Sequence, residues 1–215
     1  MTAIAISRTH FPVTSLGPGR RLGIWFQGCS IRCPGCISAD TWKAGLGRTV
    51  VADLLGAVES WLSQADGVTI SGGEPFDQPD ALKALLHGVR RRSDGDILVF
   101  TGYPIEALDH HVRDLNGLLD ALVSDPYLQE ATQSLALRGS DNQRLHLLTS
   151  LGHARFASFE RRKTPDDRRL DVMFDETGAV WFAGIPAHGD FERLSEALTA
   201  SGHQISHTQD KSSVR

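Results

Sequence analysis

Apolar residues fall along this chain in two rhythms. Short continuous runs at 22–27, 68–70, 97–100 and 118–123 are bounded by Gly, Pro or Asp, as buried strands are. Between them apolar positions recur at helical spacing. Val51, Leu54, Leu55, Val58 and Leu62 form one such series, with Thr49 as the expected cap. Leu82, Leu85, Leu86 and Val89 form the next, opening near Pro79. A shorter helical stretch from Pro104 to about Arg113 separates the third and fourth runs. Strand, loop and helix thus alternate at least three times, which predicts an α/β chain built on a parallel sheet. Ligands of such sheets gather at the carboxyl ends of the strands. The residues following each run therefore carry the functional interest.

After residue 126 the alternation weakens. Arg138-Gly-Ser-Asp-Asn-Gln-Arg144 is polar and turn-like, and 152–169 is basic and irregular. Residues 170–174 and 179–183 flank Asp175-Glu-Thr-Gly178 and read as a β-hairpin. Phe191, Leu194 and Leu198 mark a last amphipathic helix ending near Gly202. The expected organisation is a core at 15–150, a hairpin-and-helix extension at 151–202 and a polar tail at 203–215.

The 215 residues suffice for one domain with a real core, and 40% hydrophobic with 22% charged residues is an ordinary globular composition. A net charge of -4 offers no electrostatic footprint for nucleic acid or an anionic membrane. No apolar run nears the ~18 residues of a membrane span, and residues 1–10 lack the pattern of a signal peptide. The expectation is a cytoplasmic chain. Arg90-Arg-Arg92 and Arg161-Arg-Lys163 read as solvated faces.

Cysteine usage changes the picture. All three cysteines lie in Cys29-Ser-Ile-Arg-Cys33-Pro-Gly-Cys36, after the first run. An odd number in a reducing compartment argues against disulfides. Zinc sites pair ligand couples a dozen or more residues apart, and no His lies within this run. Thiol–disulfide exchange at Cys33 and Cys36 would leave Cys29 without a role. A 4Fe–4S cluster takes four ligands, usually thiolates. Three would leave one iron open, as catalytic metal sites are. The glycines and proline let the backbone wrap closely around such a group.

C-x3-C-x2-C after a first strand, with Ser71-Gly-Gly-Glu-Pro75 after a second, resembles the radical S-adenosylmethionine (SAM) superfamily. Gly17-Pro-Gly-Arg-Arg21, Thr41-Trp42, Thr101-Gly-Tyr103 and the 138–144 run narrow the resemblance to its activases of anaerobic ribonucleotide reductase. The resemblance covers about 15–146 and implies a partial, open βα barrel, with the hairpin and helix appended. It implies Cys29, Cys33 and Cys36 as ligands of a 4Fe–4S cluster whose open iron is chelated by SAM. Gly72, Gly73 and Glu74 match the motif that holds the SAM amino group; glycines admit the backbone closely and a carboxylate suits an ammonium. Thr101 matches a residue near the SAM ribose, and Asp125 a strand-end acid near SAM or a bound cation. Arg138, Ser140 and Asn142, with Arg144, form a donor-rich cluster for the SAM carboxylate or a partner's backbone.

Two functions share these residues. The first is a glycyl-radical activase: a 5′-deoxyadenosyl radical takes Hα from a glycine of a partner enzyme, such as an anaerobic ribonucleotide reductase. The second applies the same cleavage to a peptide or small metabolite. A non-catalytic iron–sulfur electron carrier is the third reading, opposed by the open iron and the Gly-Gly-Glu turn. A flavodoxin- or ferredoxin-type protein is the expected electron donor.

Overall fold

The four apolar runs are the four central strands of one sheet. In chain order the elements of this computed structural model, which describes residues 1–174 and 180–202, begin with β1 (Ala3–Val13), β2 (Arg21–Phe26) and β3 (Arg48–Val50). There follow α1 (Val51–Ala57), α2 (Glu59–Leu62), β4 (Gly67–Gly72), α3 (Pro79–Arg90), β5 (Asp96–Phe100) and α4 (Ile105–Asp114). The rest are β6 (Ala121–Ser124), β7 (Arg144–Leu147), α5 (Ser150–Phe156), β8 (Leu170–Phe174), β9 (Val180–Gly184) and α6 (Asp190–Ala200). The sheet order is β3-β1-β2-β4-β5-β6-β7, and β8 and β9 pair separately as an antiparallel hairpin. Strands β2, β4, β5 and β6 are mutually parallel; β1, β3 and β7 join antiparallel at the two flanks. The fold is α/β with a mostly parallel central sheet, and the sheet does not close on itself, since β3 and β7 remain its edges.

Burial on both faces explains why the central strands read as unbroken apolar runs. Every residue of β2 is buried. Along β5, Ile97 and Val99 join the core under α1 and α3, with Leu54, Leu55, Leu82, Leu85 and Leu86. Leu98 points the other way, to Ala121, Val123, Leu137 and Phe156. At the amino ends of the strands, Arg21 and Asp96 pair at 2.5 Å with neither side chain exposed. Arg21 also donates to Thr69 Oγ1 and to the Val68 carbonyl, and Asp96 accepts from Arg155 of α5 at 2.9 Å. One ion pair thus ties β2, β4, β5 and α5 together.

Several expectations change. Thr49 is no cap: it lies in β3, paired with Ile4, and Val50 stands at the helix start without a side-chain bond. The helix itself breaks at Val58 into α1 and α2. The fourth strand begins at Ala121; Leu118 and Leu119 belong to the turn before it. Strands β1 and β7 and helix α5 fall where no regular element was expected. Arg90 is bonded to Asp120 and the Gly95 carbonyl, and Arg161 to Asp167, so neither is a merely solvated cation. The hairpin strands agree with expectation, whereas the turn at 175–178, with residue 179, and the tail at 203–215 lie outside the described residues. No helix among the described residues is long and apolar enough to cross a membrane.

The hairpin folds back onto β1 and β2. Asp171 accepts from the backbone N–H and hydroxyl of both Thr14 and Ser15, at 2.7 to 3.0 Å. Met173 and Ala183 pack with Val13, Leu16 and Trp25. The Arg8 guanidinium lies over the rings of Trp25 and Trp181.

Candidate metal centre

The cysteine loop leaves the carboxyl end of β2, and backbone bonds to two neighbours fix its entry. Gly28 N–H donates to the Thr41 carbonyl at 2.7 Å and Cys29 N–H to the Trp42 carbonyl at 3.2 Å. Ser30 donates through its N–H and hydroxyl to Asp77, and Cys36 N–H closes a turn on the Cys33 carbonyl. Gly28 and Gly35 take positive φ, 98° and 72°, which only glycine adopts without strain.

The Gly-Gly-Glu turn is stitched to the same loop. Gly73 N–H donates to the Phe26 carbonyl and Glu74 N–H to the Gly28 carbonyl, both at 2.8 Å. The chains approach so closely that a Cβ on Gly73 would sit 2.0 Å from the Gly28 oxygen. Glu74 is buried, and its carboxylate accepts from Phe76 N–H, the Thr101 hydroxyl and Gly102 N–H at 2.8 to 2.9 Å. Burial raises the Glu74 carboxyl to about 7 against those hydrogen bonds. The carboxyl ends of β2, β4 and β5 are therefore locked to one another.

These ends open on a cavity of about 640 Å³. Its wall carries Cys29, Cys33, Cys36, Gly72, Gly73, Glu74 and Thr101 together. All three cysteines are free and half-buried. Burial raises each thiol, Cys36 to about 11, where Cys33 and Cys29 also raise it and the backbone at Ser38 opposes. Without a cation to hold them as thiolates they stay protonated at neutral pH, and an iron cluster supplies that cation. Among the described residues no three His, Cys, Asp or Glu side chains converge on a point as ligands of a single ion do. Thiolates at the corners of a cubane stand further apart than that, so three thiols around one cavity fit a cluster as a donor set.

The structure does not bring Asp125, Arg138, Ser140 or Asn142 to the cavity wall. Asp125, at φ 82°, accepts from Ser124 and Arg144. Arg138 is buried and bonded to Glu160 at 2.5 Å and to the Ala136 and Phe159 carbonyls. Ser140 accepts from Leu128 N–H, and Asn142 donates to the Pro126 carbonyl. These four side chains hold the 126–144 loops in place, and Tyr127, Gln129, Gly139 and Gln143 of those loops reach the cavity instead. Gln143 lies inside the polar run singled out above, yet nothing in that run marks it over its neighbours. Beyond the polar run, residues 182–189, Phe191 and Glu192 complete the wall, with no local sequence signal to announce them.

The sequence model of the 4Fe–4S single cluster domain family matches residues 15–146. The chain is 32% identical over 149 residues to the anaerobic ribonucleoside-triphosphate reductase-activating protein of Escherichia coli, covering 65% of this chain and 96% of that protein. It is 32% identical over 150 residues to the protein of that name in Vibrio cholerae, with the same shares, 65% and 96%. The Haemophilus influenzae protein of that name is 32% identical over 139 residues, 60% of this chain and 89% of its own. The chain belongs to the 4Fe–4S single cluster domain family, among the radical SAM enzymes that include the anaerobic ribonucleotide reductase-activating proteins.

Proposed function

We propose that this chain is a glycyl-radical activase: with a 4Fe–4S cluster and SAM it generates a 5′-deoxyadenosyl radical that abstracts Hα from a glycine of a partner enzyme. The observation that carries the reading is the shared cavity, where three cysteine thiols and the Gly-Gly-Glu turn meet at the carboxyl ends of adjacent strands. The relatives named above are activating proteins of anaerobic ribonucleoside-triphosphate reductase, which makes such a reductase the partner of choice.

Cys29, Cys33 and Cys36 would hold the cluster, with one iron left for SAM. When bound, the pair supplies an electron to the SAM sulfonium and so a carbon radical able to take a hydrogen atom. The chain's own residues do the positioning. Gly72 and Gly73 keep the backbone thin beside the cysteine loop, where the SAM amino group would lie. Glu74, anchored by Phe76, Thr101 and Gly102, would set a carboxyl near that ammonium. Thr101 would stand at the ribose side while holding Glu74 in place. Asp125, Arg138, Ser140 and Asn142 would act at one remove, by fixing the loops that carry Tyr127 and Gln143 to the cavity. Trp25, buried on the cavity wall, would exclude water from the cluster side, whereas Phe26 packs into the core on the other face of the sheet.

On this reading the open sheet is the partial βα barrel of radical SAM enzymes; because β1 and α5 belong with it, the core spans about 3–156 rather than the expected 15–150, with 157–202 as the extension. The chain works in the reducing cytoplasm and takes its electron from a flavodoxin- or ferredoxin-type donor. The test is EPR. Reconstituted anaerobically and mixed with dithionite, SAM and the reductase of its own organism, the protein gives a glycyl doublet. Formation of 5′-deoxyadenosine without that doublet would refute the activase role and favour a peptide or metabolite as hydrogen donor.

A further inference from the structure

The family match ends at residue 146, and the Escherichia coli relative uses 96% of its length against 65% of this chain. Yet one side of the cavity is built from residues 182–192. Chemistry common to the family does not require this wall. What a wall of this kind adds is selection of the molecule on which the chemistry acts.

The wall is a built surface, held to the core at several points. Gln133 donates to the Pro186 carbonyl at 2.7 Å, and Tyr127 Oη meets His188 Nε2 at 3.4 Å. Asp171 and Ser15 pin the hairpin behind it, and Asp190 receives the Ala187 N–H at the start of α6. Residues 185–187 run without helix or strand between β9 and α6, along the cavity. Beside them Phe182 and Phe191 meet edge to face, their centroids 5.5 Å apart. Apolar rings next to an irregular backbone suit a polypeptide segment, whose side chains and main-chain groups want both. The charges point the same way. Among the described residues the cavity wall carries Glu74, Glu130 and Glu192 but no Lys or Arg, and its imidazole, His188, faces Tyr127 Oη, so the wall is acidic overall and poorly suited to a phosphate.

The geometry points to segment 182–192 as the donor-selecting wall of the enzyme: it receives the glycine-bearing polypeptide segment of the partner and excludes phosphate-bearing metabolites. The inference rests on the activase reading and deepens it. Phe191 and His188 are positioning residues, acting on where the donor sits.

The test compares full-length wild type, Phe191→Ala, His188→Ala and Phe191→Tyr, each reconstituted and given dithionite, SAM and the reductase of the same organism. The readout is the ratio of glycyl radical to 5′-deoxyadenosine at limiting reductase, with the KM for the reductase. Both alanine variants lower the ratio roughly fivefold or more, the scale of losing an interface anchor, and Phe191→Tyr restores it. An unchanged ratio and KM in both alanine variants overturns the inference, as does a fall in 5′-deoxyadenosine and radical by the same factor, which would assign the wall to SAM. A wild type that cleaves SAM without radical transfer instead refutes the activase reading itself.

Discussion

Glu74 carries a carboxyl under opposed forces. Burial drives it up to about 7, while Phe76 N–H, Gly102 N–H and the Thr101 hydroxyl stabilise its charge. An unfolded glutamate titrates near 4.5. The folded group is therefore the tighter proton binder, so its contribution is fully present below 4.5 and is lost as pH rises to about 7. The cluster-free wild type should lose stability across that window relative to Glu74→Gln. The variant also carries a constant penalty of about 1–3 kcal/mol for one lost acceptor. Urea midpoints at about pH 5 and pH 7.5 separate the two effects. A wild-type-minus-variant difference that is equal at both pH values contradicts the assignment. From residue types alone Glu74 reads only as a ligand for an ammonium; that it also ties β4 to β5 needs Thr101 and Gly102, some 27 residues on, to be in contact.

At the scale of elements, glycine and charge decide two junctions. A methyl on Gly73 would collide with the Gly28 carbonyl and break its bond from Glu74 N–H, shifting the cysteine loop. Gly73→Ala should fold yet retain far less iron and sulfide after anaerobic reconstitution; a full cluster content in the variant removes this role. Asp96→Ala leaves the Arg21 guanidinium buried without its partner and should cost about 3–5 kcal/mol in urea unfolding. A loss near zero would show that Arg21 finds water. Elements with a strong local pattern were legible: β2, β4, β5, α3 and α4 stand within a residue or two of their apolar runs. Strand β1 was not, because Ser7-Arg-Thr-His10 interrupts its alternation, and Arg8 is accommodated there by Asp40, the Ser7 hydroxyl and two tryptophan rings. Strand β7, Arg144–Leu147, is four residues long and exists by pairing with β6, which no local window shows. Thr49 misled because cap-forming and strand-forming residues overlap, and the pairing with β1 decided between them.

For the whole molecule, the site was half legible. The cysteine loop and the Gly-Gly-Glu turn announce themselves by residue type and spacing, and the parallel sheet brings them together. The polar run at 138–144 looked like a ligand cluster because its donors are numerous; in the fold Arg138 and Asn142 are bonded to the Ala136 and Pro126 carbonyls and the Glu160 carboxylate. The far wall at 182–192 was not legible, since only the return of the hairpin onto β1 carries it there. Asp171 holds that return through four hydrogen bonds. Asp171→Ala should make the hairpin and α6, residues 170–202, cleavable by protease at least about tenfold faster, with the core fragment that retains α5 surviving. Equal cleavage rates would mean that the apolar contacts of Met173 and Ala183 suffice.

On the activase reading, three cysteines and the adjoining turn make a cluster site at which SAM is cleaved. Its most direct test is the 5′-deoxyadenosine formed by the anaerobically reconstituted protein with dithionite and SAM, compared with Cys33→Ala. The wild type should form product and the variant none above background, with loss of its cluster. A wild type that holds its cluster and forms no 5′-deoxyadenosine, or a Cys33→Ala that forms it equally well, would contradict it.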